Sequence, residues 1–240
     1  MAVNSGGPEI IHLHIPKAAG TAFDAVLASV YGQEQVERDR SADTPRSLRG
    51  DGATWRARLQ AEVEPRPSWP KVITGHFPLS KYERFRRSAF TIVWLREPAA
   101  RLLSQYFYWR SQWSANGSGA AWALAFPPEQ IMEVKWPSNR VTDWHLRGYG
   151  LDDFDFVGIQ EHFAKDVADL GRILGWPPVE IPVHNRTTTP EYQDFRPTED
   201  LLRKIRQANQ ADVKLYEHAL ERRHARIAGR GPRDRKTSRG

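Results

Sequence analysis

Short apolar runs alternate along this chain with stretches whose apolar residues recur three or four positions apart. Ile10-Ile11-His12-Leu13-His14-Ile15 is rich in β-branched residues and stops at Pro16, which predicts a buried first strand. Residues 21–31 then carry Ala22, Phe23, Ala25, Val26, Leu27 and Val30, a broad apolar face for packing a helix on a sheet, and Gly32 ends it. Residues 71–74 and 89–95 predict two further strands, apolar enough to be covered on both faces. Pro98 suits the first turn of a helix, and residues 99–113 follow with Leu102, Leu103, Tyr106 and Phe107 at helical spacing. A fourth strand over 154–159, a helix over 162–174 closed by Gly175, and helices over 198–206 and 210–222 complete the pattern. Between these lie a surface excursion at 33–70 with one helix at 54–63, a loop at 116–128, short helices near 129–134 and 138–146, and a polar loop at 184–189. Strand–helix alternation implies a three-layer α/β domain around a central parallel sheet.

Composition narrows the chemistry. With 240 residues, 40% hydrophobic and nine Trp, the chain is expected to form a single domain over residues 1–221. It contains no cysteine, so disulfides, thiolate nucleophiles and Cys-ligated metal centres are excluded. No run approaches the roughly eighteen apolar residues of a membrane span, and residues 1–8 lack the order of a secretory signal, so a cytoplasmic protein is expected. The net charge of +6 invites a nucleic-acid reading, but residues 222–240 hold eight Lys/Arg and one Asp. The body is therefore near neutral, which fits a solvated basic tail better than a binding stripe, and no nucleic-acid partner is expected.

The segment Pro16-Lys17-Ala18-Ala19-Gly20-Thr21 lies between a predicted strand and helix, where backbone N–H groups and the helix dipole favour an anion. Lys17 adds a point charge suited to phosphate oxygens, Thr21 a hydroxyl in the first helical turn. The order differs from G-x-x-x-x-G-K-[ST], because the lysine precedes the glycine, which lowers the ATPase and GTPase readings. His12 and His14 alternate on a strand, yet no neighbouring acid or cysteine completes a metal set. The aromatics from Tyr106 to Trp109 could stack on a ring or simply fill a core.

Four motifs stand in order: His14-Ile15-Pro16-Lys17-Ala18-Ala19-Gly20-Thr21, Gly75-His76-Phe77, Leu95-Arg96-Glu97-Pro98 with Arg101-Leu102-Leu103-Ser104, and Phe156-Val157-Gly158. The set resembles the sulfotransferases that use 3′-phosphoadenosine-5′-phosphosulfate (PAPS), over roughly residues 10–220. It is most similar to the polysaccharide branch that includes heparan sulfate 2-O-sulfotransferase and its bacterial relatives. The resemblance implies a P-loop-like sulfotransferase fold and an O-sulfotransferase that leaves adenosine 3′,5′-bisphosphate (PAP) as product, with no metal required. It implies that Lys17 stabilises the leaving phosphate, with Ala18, Ala19, Gly20, Thr21 and Ala22 lining the loop and helix start. Arg96 and Ser104 match the pair for the 3′-phosphate, and His76 matches the general base, an imidazole able to take a hydroxyl proton near neutral pH. Asn185, Arg186 and Thr187 fall where the family closes over the nucleotide. The implied acceptor is a hydroxylated molecule of the saccharide or glycoconjugate class. Ala18, Ala19 and Thr74 depart from the family's usual Thr, Gly and second histidine. Two other readings remain: a P-loop-like kinase needing Mg²⁺, and a noncatalytic polyanion-binding module built on the tail.

Overall fold

The computed structural model describes residues 6–39, 63, 66–111, 123–131, 138–181 and 190–229. Five parallel strands form one sheet: β1 (Ile10–Leu13), β2 (Val36–Asp39), β3 (Val72–Gly75), β4 (Phe90–Leu95) and β5 (Phe156–Ile159), in spatial order β2-β3-β1-β4-β5. Strands β1, β3, β4 and β5 are buried along their whole lengths, as strands covered on both faces must be. Among the described residues six α-helices accompany them: α1 (Gly20–Tyr31), α2 (Pro98–Ser111), α3 (Phe163–Leu174), α4 (Pro190–Asp194), α5 (Glu199–Ala208) and α6 (Gln210–Ile227).

Alternation along the strands divides the core in two. Ile10, Val72, Ile92, Trp94 and Phe156 face Phe23, Val26 and Leu27 of α1 and Val167 and Leu170 of α3. Ile11, Leu13, Ile73, Val93, Leu95, Val157 and Ile159 face the other way, where Ala219, Leu215 and Leu220 of α6 cover them. The result is the helix–sheet–helix layering that the sequence implied. A third apolar cluster ties α2 to α5 through Leu102, Tyr106, Leu201 and Ile205.

Two expectations need correction. The excursion at 33–70 contributes β2, an edge strand with one buried apolar residue, Val36. Its far end is fixed by Asp39, which accepts from Tyr82 Oη and pairs with the buried Lys81 Nζ, both at 2.8 Å. The short-range pattern of Val36-Glu37-Arg38-Asp39 has too little apolar alternation to reveal a strand whose pairing is supplied by β3. The basic tail expected from residue 222 also begins later, because α6 runs to Ile227. Arg223 Nε donates to the buried Asp166 at 2.7 Å, Arg226 Nη1 to Val157 O at 3.0 Å and Arg222 Nη1 to Asp152 at 2.7 Å. These arginines are structural clamps of α6 on β5 and α3. Of the helices expected at 54–63 and 129–134, residues 54–62 and 132–134 lie outside the described residues, as do most of the 116–128 loop and residues 230–240. Among the described residues no helix is long and apolar enough to cross a membrane.

Candidate active site

The loop after β1 turns within four residues, and two non-glycine residues bear the cost. Lys17 (φ 64°) and Ala19 (φ 65°) both occupy the left-handed region, each disfavoured by about 1–2 kcal/mol. Backbone strain of this kind gathers at functional sites. Ala18 is fully buried in the core, and its N–H donates to Ile15 O at 3.3 Å. Gly20, by contrast, has an ordinary φ; its lack of a side chain serves packing. A Cβ there would lie 2.0 Å from the His14 ring.

Helix α1 begins at Gly20 with no side chain capping it and no acidic residue in its first turn. Its first N–H groups have no carbonyl inside the helix to bond, so its positive end faces the loop uncompensated. Thr21 is exposed at that end, whereas Ala22 is buried. Lys17 Nζ sits over the ring of Tyr108 on α2, 4.4 Å from its centroid. Burial, then the neighbouring Arg96, pulls the Lys17 ammonium down to about 8.

Arg96 leaves the end of β4 and joins the two halves of the site. Its Nη1 donates to Lys17 O at 3.3 Å and its Nη2 to Tyr192 Oη on α4 at 3.2 Å. Its Nε is buried without a hydrogen-bond partner among the described residues. Ser104 lies on α2, eight positions on, and is buried. Arg101, one turn before it, is a buried structural cation 3.7 Å from Asp212.

His76 follows β3, and its Nδ1 is 2.7 Å from the carbonyl oxygen of His14. A carbonyl only accepts, so Nδ1 carries the hydrogen and Nε2 is the basic nitrogen of the neutral ring. The structure thus brings Lys17, Thr21 and Arg96 to one edge of the sheet, with His76 tied to the same loop through His14. Asn185, Arg186 and Thr187 lie outside the described residues. Among the described residues no three His, Cys, Asp or Glu side chains are grouped as metal ligands.

Residues 3–118 match the model of the sulfotransferase family. The match covers a little under half of the chain, from before β1 to just past α2. The matched stretch contains Lys17, His76, Arg96 and Ser104. Among solved structures the chain is similar to mouse sulfotransferase SULT7A1 complexed with PAP, at 11% identity, with 90% of this chain and 89% of that chain covered and a TM-score of 0.42. A likeness at that level says nothing of residue roles. No curated protein matches the chain in sequence.

Several residues around this candidate site escaped the sequence reading. Tyr192 contacts Arg96 from a short helix that no periodicity marks. His145 is buried in a π-helical turn over Val141–His145, a distortion frequent at functional sites. Burial, then Arg101 and Arg140, pushes its imidazole far below the usual histidine range. Asp24 is a buried carboxylate on the apolar face of α1. An acid in that stripe between Phe23 and Val26 was a legible signal, since charges are almost never buried without partners.

Proposed function

We propose that this chain is a PAPS-dependent O-sulfotransferase acting on a hydroxyl of a saccharide or glycoconjugate. The uncapped positive end of α1, with Lys17 before it and Arg96 hydrogen-bonded to the Lys17 carbonyl, carries this reading. One donor phosphate is received at the helix end and the other by Arg96 and Ser104, a fork and a hydroxyl suited to phosphate oxygens. Lys17 and the N–H groups of the α1 end stabilise the negative charge that grows on the leaving phosphate. His76 Nε2 takes the proton from the acceptor hydroxyl while that oxygen bonds to sulfur. The bond from sulfur to the phosphate oxygen breaks, and its electron pair stays on the phosphate. Tyr108, 43% exposed beside Lys17, offers an aromatic face to an acceptor ring. The polyanion-module reading is weakened because Arg222, Arg223 and Arg226 are spent on internal partners.

Calorimetric titration with PAP, without added metal and beside ATP and GTP controls, tests the donor. Selective binding of PAP is expected, together with loss of about a hundredfold or more in Lys17→Ala turnover, the scale of removing one charge-stabilising donor. Equal binding of ATP, or unchanged Lys17→Ala turnover with PAPS, rejects the reading.

A further inference from the structure

Beneath the phosphate loop, on the α1 side of the sheet, lies a polar cluster that the steps above do not use. Asp24 is 6% exposed and surrounded by hydrogen-bonding partners from three strands. Its Oδ1 accepts from Thr74 Oγ1 at 2.7 Å and lies 3.4 Å from His12 Nδ1. Its Oδ2 lies 3.4 Å from His14 Nδ1 and 3.6 Å from Arg38 Nε. His12 Nδ1 is itself 2.7 Å from Thr74 Oγ1; that hydroxyl donates to Asp24, so the imidazole N–H donates to the hydroxyl. Burial works to raise the Asp24 carboxyl, but hydrogen bonds from His12 and His14 outweigh it and hold the group well below the usual carboxylate range. The carboxylate is therefore an anion near neutral pH.

His14 connects this anion to His76. Its ring is held at Nδ1 by Asp24, and its carbonyl accepts from His76 Nδ1. The two rings stand 4.4 Å apart between centroids, inclined at 58°. Gly20 gives the His14 ring its room, since a Cβ there would lie 2.0 Å from it. We infer that Asp24, acting through His14, is the positioning carboxylate of His76: it holds the His14 ring against the His76 ring, whose basic nitrogen the His14 carbonyl fixes, and stabilises the positive charge of His76 once the acceptor's proton has arrived. The functional part of this inference rests on His76 being the base.

The other charged groups around these rings set the sign of the effect. Arg38 from β2 opposes Asp24 directly. His12 stacks at 5.6 Å on the far side of His14. On the opposite flank His145, with Arg101 and Arg140 beside it, lies within electrostatic reach of both His14 and His76. Burial lowers His14 and His145 below the usual histidine range, so near neutral pH neither adds a positive charge beside His76. Asp24 is left as the negative group of this cluster, and Arg38 tunes it.

The test reads His76 directly in the full-length chain, by NMR of labelled histidine, with the resonance assigned from His76→Asn. In the wild type the neutral ring should carry its hydrogen on Nδ1. Asp24→Asn should lower the pKa of His76 by roughly half to one unit, the effect of removing an anion one ring away. Arg38→Gln, at a half-exposed position that leaves the fold intact, should raise it by a few tenths of a unit. Opposite signs from the two variants support the inference, because a merely structural role moves neither in a charge-dependent sense. An unshifted His76 in both, or an Arg38→Gln value at or below wild type, overturns it; the second criterion decides alone if Asp24→Asn does not fold. Turnover is not part of this readout. Failure of His76 as the base would show separately, as unchanged turnover in His76→Asn with PAP affinity intact.

Discussion

Two crossings from strand to helix build this site, and they treat the positive end of the helix in opposite ways. After β1, the chain turns through left-handed Lys17 and Ala19 into α1, whose first turn holds no acid and no capping side chain. After β4, Glu97 reaches over the start of α2, where its Oε2 accepts from Ala100 N at 2.7 Å. Its Oε1 accepts from Arg206 Nε at 3.0 Å, and its own N–H donates to Glu161 at 3.0 Å. One helix end is left for a ligand's charge; the other is neutralised by the protein and serves to aim Arg96. The two crossings thus differ in whether a carboxylate from the residue before the helix covers its first N–H groups.

Reversing that difference is the strongest way to break it. Thr21→Asp places an acid at the exposed tip of α1. PAP affinity should fall tenfold or more by calorimetry, while stability rises by up to about 0.5 kcal/mol as the dipole is complemented. Unchanged affinity would remove α1 from the anion site. Next in size is pH. With Lys17 held down at about 8 by burial and Arg96, its charge is largely present at pH 7 and mostly lost at pH 9. PAP affinity should therefore weaken about fivefold over that interval, and Lys17→Arg, which stays charged, should flatten the profile. Uncapping the second crossing with Glu97→Gln should cost about 1 kcal/mol in thermal unfolding and leave PAP affinity alone. The smallest effect is expected from Ala19→Gly. It relieves a left-handed alanine at the expense of a looser unfolded chain, a net gain of about 0.5 kcal/mol.

The parallel α/β architecture was legible because β1, β3, β4 and β5 are continuous apolar runs and α1, α2 and α3 carry broad apolar faces. The placement of Lys17, Gly20, Thr21 and Arg96 where a strand hands over to a helix was legible as well. Strand β2 was not, because Glu37, Arg38 and Asp39 acquire their conformation by pairing with β3. The clamp formed by Arg222, Arg223 and Arg226 was hidden for a similar reason. Basic residues at the end of a chain read as solvated until acids such as Asp152 and Asp166, more than fifty positions away, are brought beside them.

The reason for each glycine and histidine divides along the same line. Sequence alone marked the loop at 16–21 as an anion site, because strand, lysine, small residues and helix start are all local features. Only the tertiary structure decided that Gly20 exists to admit the His14 ring, that Lys17 and Ala19 carry the strained backbone, and that Asp24 closes a network running to His76. Local propensity is a property of neighbouring residues and can be read along a line. The charge and orientation of a buried imidazole depend on groups that share a volume, and their sharing is set by the packing of α1 on β1 and β3.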